Sequence, residues 1–162
     1  PADGASARGA LVIRQGRAHP LAADPRIPRL EPGALGAYVY EPDGAVIRAS
    51  LIEQAADAAG LADARLLHPR IAYVTSDVKA VGSPFLTGWE VVEAFPFSLK
   101  RLRGWVRERG IGRMTVKKRG TAVEPADLLK RLELKGEGTA VVILTRLGAR
   151  QSVLVVRPLQ DF

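Results

Sequence analysis

The stretch from Phe95 to Gly120, FPFSLKRLRGWVRERGIGRMTVKKRG, constrains this chain more than any other. It reads as a basic amphipathic helix, a glycine stop, and a β-strand that ends in cations. Ser98 suits the helix N-cap, because its hydroxyl can accept from an orphan backbone N–H of the first turn. Leu99, Leu102, Trp105 and Val106 recur at helical spacing and predict one apolar face. Lys100, Arg101, Arg103 and Arg107 take the rest of the circumference. Gly110 can adopt the left-handed conformation that closes a helix. Beyond Gly112 the run alternates, with Met114, Val116 and Lys118 on one side and Arg113, Thr115, Lys117 and Arg119 on the other. That alternation predicts Lys117 and Arg119 as the exposed pair and Lys118 as partly covered.

Charge sharpens the picture. The chain has 162 residues and a formal net charge of +7. Pro1 to Phe85 holds nine basic and nine acidic residues, whereas Leu86 to Phe162 holds fifteen and eight, so the whole excess lies in the second half. Such a half-chain points to a polyanionic partner, nucleic acid before membrane, unless arginine serves only to keep the surface solvated. No apolar run approaches the roughly 20 residues that span a bilayer. No leader sequence is recognisable. The absence of cysteine excludes disulfides, thiolate catalysis and cysteine-ligated zinc, and suits the cytoplasm. Because the chain starts at Pro1 and not at Met, the expectation is that it is the end of a longer protein.

Taken in order, Pro1 to Ala7 is expected to be disordered and Ala10 to Gln15 to be a strand, with its turn at Gly16 and Arg17. Pro25, Pro28 and Pro32 mark Ala22 to Gly33 as a linker. Leu35 to Tyr40 is a predicted strand that leads to one helix. That helix is capped by Asp43, buries Ile47, Leu51, Ala55 and Ala58, and stops at Gly60. Short strands follow at Arg65 to Leu67 and Ile71 to Thr75, and Asp77 to Pro84 is a loop. A strand from Gly88 to Phe95 enters the basic helix. After the cationic strand come a helix with Pro125 at its first position and Leu128, Leu129 and Leu132 inside, a buried strand from Thr139 to Arg146, and a Gly148-Ala149 turn into Gln151 to Arg157. The expected fold class is α+β, as two small α/β subdomains whose mixed sheets are covered by helices. The domain expectation is a disordered start, a residual strand and a Pro-rich linker over 1–33, a first subdomain over 34–85 and a β-α-β-α-β-β domain over 86–162.

Catalytic patterns are missing. No GxGxxG or P-loop glycine run is present to admit a cofactor phosphate. His19 and His68 each precede a proline and have no spaced partner, so both read as loop structure, and no metal site is expected. Glu90 and Glu93 are expected on opposite faces of their strand, and Glu41 and Asp43 as a loop acceptor and a cap. Ser76-Asp77 has no histidine base nearby in sequence. The expectation is therefore no catalytic residue.

Three segments carry a family resemblance: YVYEPDGAVIRASLIEQ, then LLHPRIAYVTSD, then EVVEAFPFSLKRLRGWVRERGIGRMTVKKRGTAVEPADLLKRL. Together they resemble the C-terminal region of bacterial class I S-adenosylmethionine-dependent methyltransferases, a ferredoxin-like segment followed by a THUMP-like domain. The resemblance covers about Tyr38 to Pro158. It implies a Rossmann-like methyltransferase domain N-terminal to this region that binds S-adenosylmethionine, and no cofactor within this stretch. It also implies a role in presenting structured RNA to that domain. On this reading Lys100, Arg101, Arg103, Arg107, Arg113, Lys117, Lys118 and Arg119 neutralise phosphates, and Gly120 lets the backbone come close. Few aromatics are available for stacking, which favours shape and backbone contacts over single-stranded readout. The other reading is a structural module that packs on the methyltransferase domain. Ion pairs from the basic residues to Glu90, Glu93, Glu108 or Glu124 would favour it.

Overall fold

A computed structural model of the chain describes residues 8–160. The expectation of disorder over Pro1 to Ala7 lies outside them. Nine strands and four helices occupy the described residues, an α+β arrangement as expected. They divide into two units, residues 8–88 with 159–160, and Trp89–Pro158.

The first unit opens with a β-hairpin of β1 (Gly9–Arg14) and β2 (Arg17–Ala22). Its two-residue turn is Gln15-Gly16, both at positive φ (51° and 73°), the geometry that matches strand twist in tight hairpins. Sequence reading missed β2. His19-Pro20 looks like linker chemistry, yet a proline is tolerated in a two-stranded ribbon that has open edges. β3 (Tyr38–Pro42) begins three residues later than expected. It flanks β5 (Ile71–Ser76), which also pairs with β4 (Arg65–His68), and both pairings are antiparallel.

Between β3 and β4 the single expected helix is in fact two, α1 (Gly44–Arg48) and α2 (Ile52–Ala58). Asp43 caps α1 as predicted, accepting from the Ala45 N–H at 2.8 Å. Ser50 then turns left-handed at φ 56°. Ser50 N–H donates to Ile47 C=O and Leu51 N–H to Val46 C=O, which is a complete Schellman closure. The same closure recurs at Gly60, where Gly60 N–H bonds Asp57 C=O and Leu61 N–H bonds Ala56 C=O. The break rotates the buried stripe to Val46, Leu51, Ala55, Ala56 and Ala59; Ile47 is only half-buried and Ala58 is exposed. Beside β5, Arg65 donates to Ala34 C=O and to the carboxylates of Asp63 and Asp77. Asp63 also accepts from the Ser76 hydroxyl and the Asp77 N–H. Burial pushes the Asp63 carboxyl up, but these hydrogen bonds together outweigh it and hold the group below its usual pKa.

The second unit runs β6 (Leu86–Pro96), α3 (Leu99–Glu108), β7 (Ile111–Lys118), α4 (Pro125–Leu132), β8 (Gly138–Leu147) and β9 (Arg150–Pro158). The first three residues of β6 belong to the first unit. The order β-α-β-α-β-β is the one expected. Strands lie side by side as β6-β9-β8-β7, antiparallel except for β7 and β8, which α4 connects in parallel. Leu102, Trp105 and Val106 of α3 and Leu128 and Leu132 of α4 cover one face, over Phe95, Met114, Val142, Leu144, Val153 and Val155. Trp89, Ile143, Leu154 and Val156 on the other face are buried too.

Two local features position the side chains that matter. A bulge between Val91 and Glu93 shifts the β6–β9 register, so Glu90 lies opposite Arg157 and Glu93 opposite Val155. Cross-strand partners share a face, and residues 155 and 157 are two apart. Glu90 and Glu93 thus share the helix-covered side, contrary to the opposite faces that strict alternation gave. At the far end, the α3–β7 and α4–β8 turns cross with almost no space. A Cβ on Gly112 would stand 1.8 Å from the Gly136 carbonyl oxygen, and one on Gly136 2.2 Å from that of Gly110. Leu159 N–H donates to Gly88 C=O at 3.0 Å, where the chain re-enters the first unit.

Candidate nucleic-acid interface

α3 forms as its sequence dictates. Ser98 Oγ accepts from the Arg101 N–H at 3.4 Å, and Gly110 closes the helix at φ 59°. Lys100, Arg101 and Arg107 are exposed. Lys100 and Arg107 make no hydrogen bond or ion pair among the described residues. The Arg101 guanidinium sits 4.8 Å over the Phe95 ring. Arg103 is half-buried, and its Nε donates to Arg131 C=O at 2.7 Å, satisfying a last-turn carbonyl of α4. Gly104 lies between these cations, and a Cβ there would meet nothing within 4 Å.

The strand cations divide differently from expectation. β7 pairs Lys117 with Ile143 and Lys118 with Leu144, so Arg113 and Lys117 lie on the face without helices and Lys118 on the helix side. Lys118 is the exposed residue of the cluster, whereas Lys117 and Arg119 are half-buried, the reverse of the prediction. The reason is local. The Lys117 ammonium rests 4.8 Å over the Trp89 indole, and the strand ends at Lys118, so its side chain escapes past the sheet edge to pair with Glu124. Arg119 N–H continues the ladder to Leu144 C=O, and Gly120 turns the chain at φ 75°. Arg113 is exposed and distant in register from Lys118.

The start of α3, the end of β7, the start of α4 and the β8–β9 turn gather at one end of the sheet. Phe97 N–H bonds Gln151 C=O at 2.8 Å, and the Gln151 amide donates to Thr121 Oγ1 at 3.2 Å. Arg146 and Arg150 therefore join this end, both exposed, and sequence reading missed them. Arg146 follows Leu144 on the face that carries Lys118. The available signal was the predicted turn, which arginines flank on both sides.

Other cations are engaged. Arg109 lies 4.8 Å over the Trp105 ring, 3.1 Å from a Glu93 oxygen and 3.8 Å from one of Glu108; Glu93 also accepts from the indole N–H at 3.0 Å. Arg157 pairs with Glu90 at 2.8 Å.

A cavity of about 930 Å³ in the second unit is walled largely by Trp105, Ile111, Met114, Leu129, Leu134 and Val155, and its charged groups are all arginines. His68 Nδ1 accepts from the Arg70 N–H, and His19 meets Phe85 edge-on, as structural histidines do. Among the described residues, no group of three or more potential ligands could hold a metal, and no helix is long and apolar enough to cross a membrane.

Residues 86–158 match the family described as THUMP domain-like, and that stretch belongs to it. The chain is 37% identical over 114 residues to uncharacterized S-adenosylmethionine-dependent methyltransferases from two strains of Mycobacterium tuberculosis, CDC 1551 / Oshkosh and ATCC 25618 / H37Rv. The match takes in 70% of this chain and 30% of each relative. A crystal structure of a candidate methyltransferase from Porphyromonas gingivalis W83 shares the fold, with a TM-score of 0.69 and 22% identity over 93% of this chain and 37% of that one. The chain thus spans about a third of the length of the proteins it matches.

Proposed function

We propose that this chain is the accessory region of an S-adenosylmethionine-dependent methyltransferase, and that its THUMP-like domain binds structured RNA to present it for methylation. The observation that carries the reading is the split among cations. Arg109, Lys118 and Arg157 are answered by Glu93, Glu108, Glu124 and Glu90. Lys100, Arg101, Arg107, Arg113, Arg146 and Arg150 have no ion pair among the described residues and face solvent. Such groups neutralise phosphates and hold a nucleic acid without reading its sequence. Trp89, Trp105 and Phe95 are buried and Phe97 is half-buried, so among the described residues of this domain no aromatic ring is fully exposed for stacking, and a folded RNA suits the surface better than a single strand.

S-adenosylmethionine itself does not fit the residues present. Among the described residues, the β3–α1 junction has Gly44 alone, and no glycine-rich turn opens a helix. The cofactor belongs, on this reading, to the part of the longer proteins outside the match, and no step is assigned to it here.

The test is fluorescence anisotropy with a labelled RNA stem-loop, titrated from low to physiological salt. Wild type should bind with an affinity that falls steeply with salt. A variant with Lys100, Arg107, Arg146 and Arg150 changed to Ala should bind more weakly, with a log–log salt slope shallower by about three to four. No binding at low salt, or an unchanged slope, would overturn the assignment.

A further inference from the structure

The hairpin of the first unit buries part of its inner face and leaves an outer face that is apolar throughout. Inward, Val12 is buried and packs with Ala10 and Leu21 into the core that α1 and α2 share. Outward, Gly9, Leu11 and Ile13 stand opposite Ala22, Pro20 and Ala18. All six are exposed, Leu11 by 57% and Ile13 by 71%, and none has a polar side chain. Arg14 shares the inner face with Val12, where it donates to Thr87 Oγ1 at 3.1 Å.

A strand that meets water on one side alternates apolar with polar residues, and one that is apolar throughout is patterned for burial on both sides. Exposed strand faces and edges normally carry charges against unwanted pairing, and this face has none. A contiguous apolar patch of this kind marks a contact surface.

We infer that this face seats the methyltransferase domain. The matched segment is 30% of each Mycobacterium tuberculosis relative and 37% of the Porphyromonas gingivalis chain, so in such proteins about two thirds of the polypeptide is joined to a region like this one and is available to cover the face. The face is uncharged, which excludes a polyanion and suits a permanent protein contact whose core is apolar. The inference rests on the reading of this chain as a methyltransferase accessory region and does not depend on the cations of the second unit.

The test joins this chain to the methyltransferase portion of the Mycobacterium tuberculosis relative, in place of that protein's own matched segment. Hydrogen–deuterium exchange over residues 9–22 is then compared with the chain by itself. Exchange should slow by about tenfold or more in the joined protein. Leu11→Asp combined with Ile13→Asp should abolish the protection while leaving the RNA affinity of the chain unchanged. If that variant does not fold, Ile13→Ala serves for the same comparison. Equal exchange in the two proteins overturns the inference. So does a chain that is dimeric alone by sedimentation and monomeric in the double variant, because the face would then belong to a second copy.

Discussion

Arg109 stacks on Trp105 and reaches Glu93 and Glu108, so its charge is answered inside the domain. Nothing in RGWVRERG distinguishes it from Arg107, which stands free in solvent two residues earlier. The difference comes from the Val92 bulge, which swings Glu93 under the helix, and a bulge has no signature in a run such as EVVEAF. Arg146 escaped for another reason. It is 28 positions from Lys118 and reaches the same face only through the parallel register of β7 and β8. In the first unit, Asp63 carries a testable consequence of its own. Its pKa is lowered by folding, so its stabilisation is complete above the ordinary carboxylate value of 3.8 and is lost as pH falls through the lower folded value. Thermal denaturation of wild type should therefore show a loss of Tm on acidification that Asp63→Asn lacks in part. Parallel acid profiles for the two proteins would refute this.

The two helices α1 and α2 end in the same closure, but only one of these ends was legible. Gly60 announces itself, whereas Ser50 occupies the same left-handed position without the residue type that usually signals it. Relieving that strain with Ser50→Gly should raise stability by about 1 kcal/mol in urea denaturation. An equal loss would mean that the serine side chain matters instead. The opposite substitution type is costly where α3–β7 and α4–β8 cross. There Gly112→Ala must displace the Gly136 backbone, and a loss of about 3 kcal/mol is expected, at the upper end for overpacking. A neutral effect by the same denaturation would show that the turns can separate. Strands with dense apolar runs, such as β8, and helices with a marked start, a serine cap for α3 and a first-position proline for α4, were readable because one local rule suffices for each. β2 was not, since its existence depends on the hairpin partner and not on its own residues.

Charge and apolar surface are sorted between the two units. The net +7 lies entirely in the second half, whereas the neutral first half holds the outward hairpin face. The order of elements and this sorting were visible in the chain itself; which cations face solvent was not, because ion pairs and ring contacts form only after the strands find their register. Gly88 C=O and Leu159 N–H, which flank the second unit in sequence, share a hydrogen bond within the first. Closing a loop as long as Trp89–Pro158 in an unfolded chain costs on the order of 4 kcal/mol in entropy. Once the second unit has folded, residues 88 and 159 are already neighbours and that cost is met. A contact remote in sequence within the first unit then forms as if it were local.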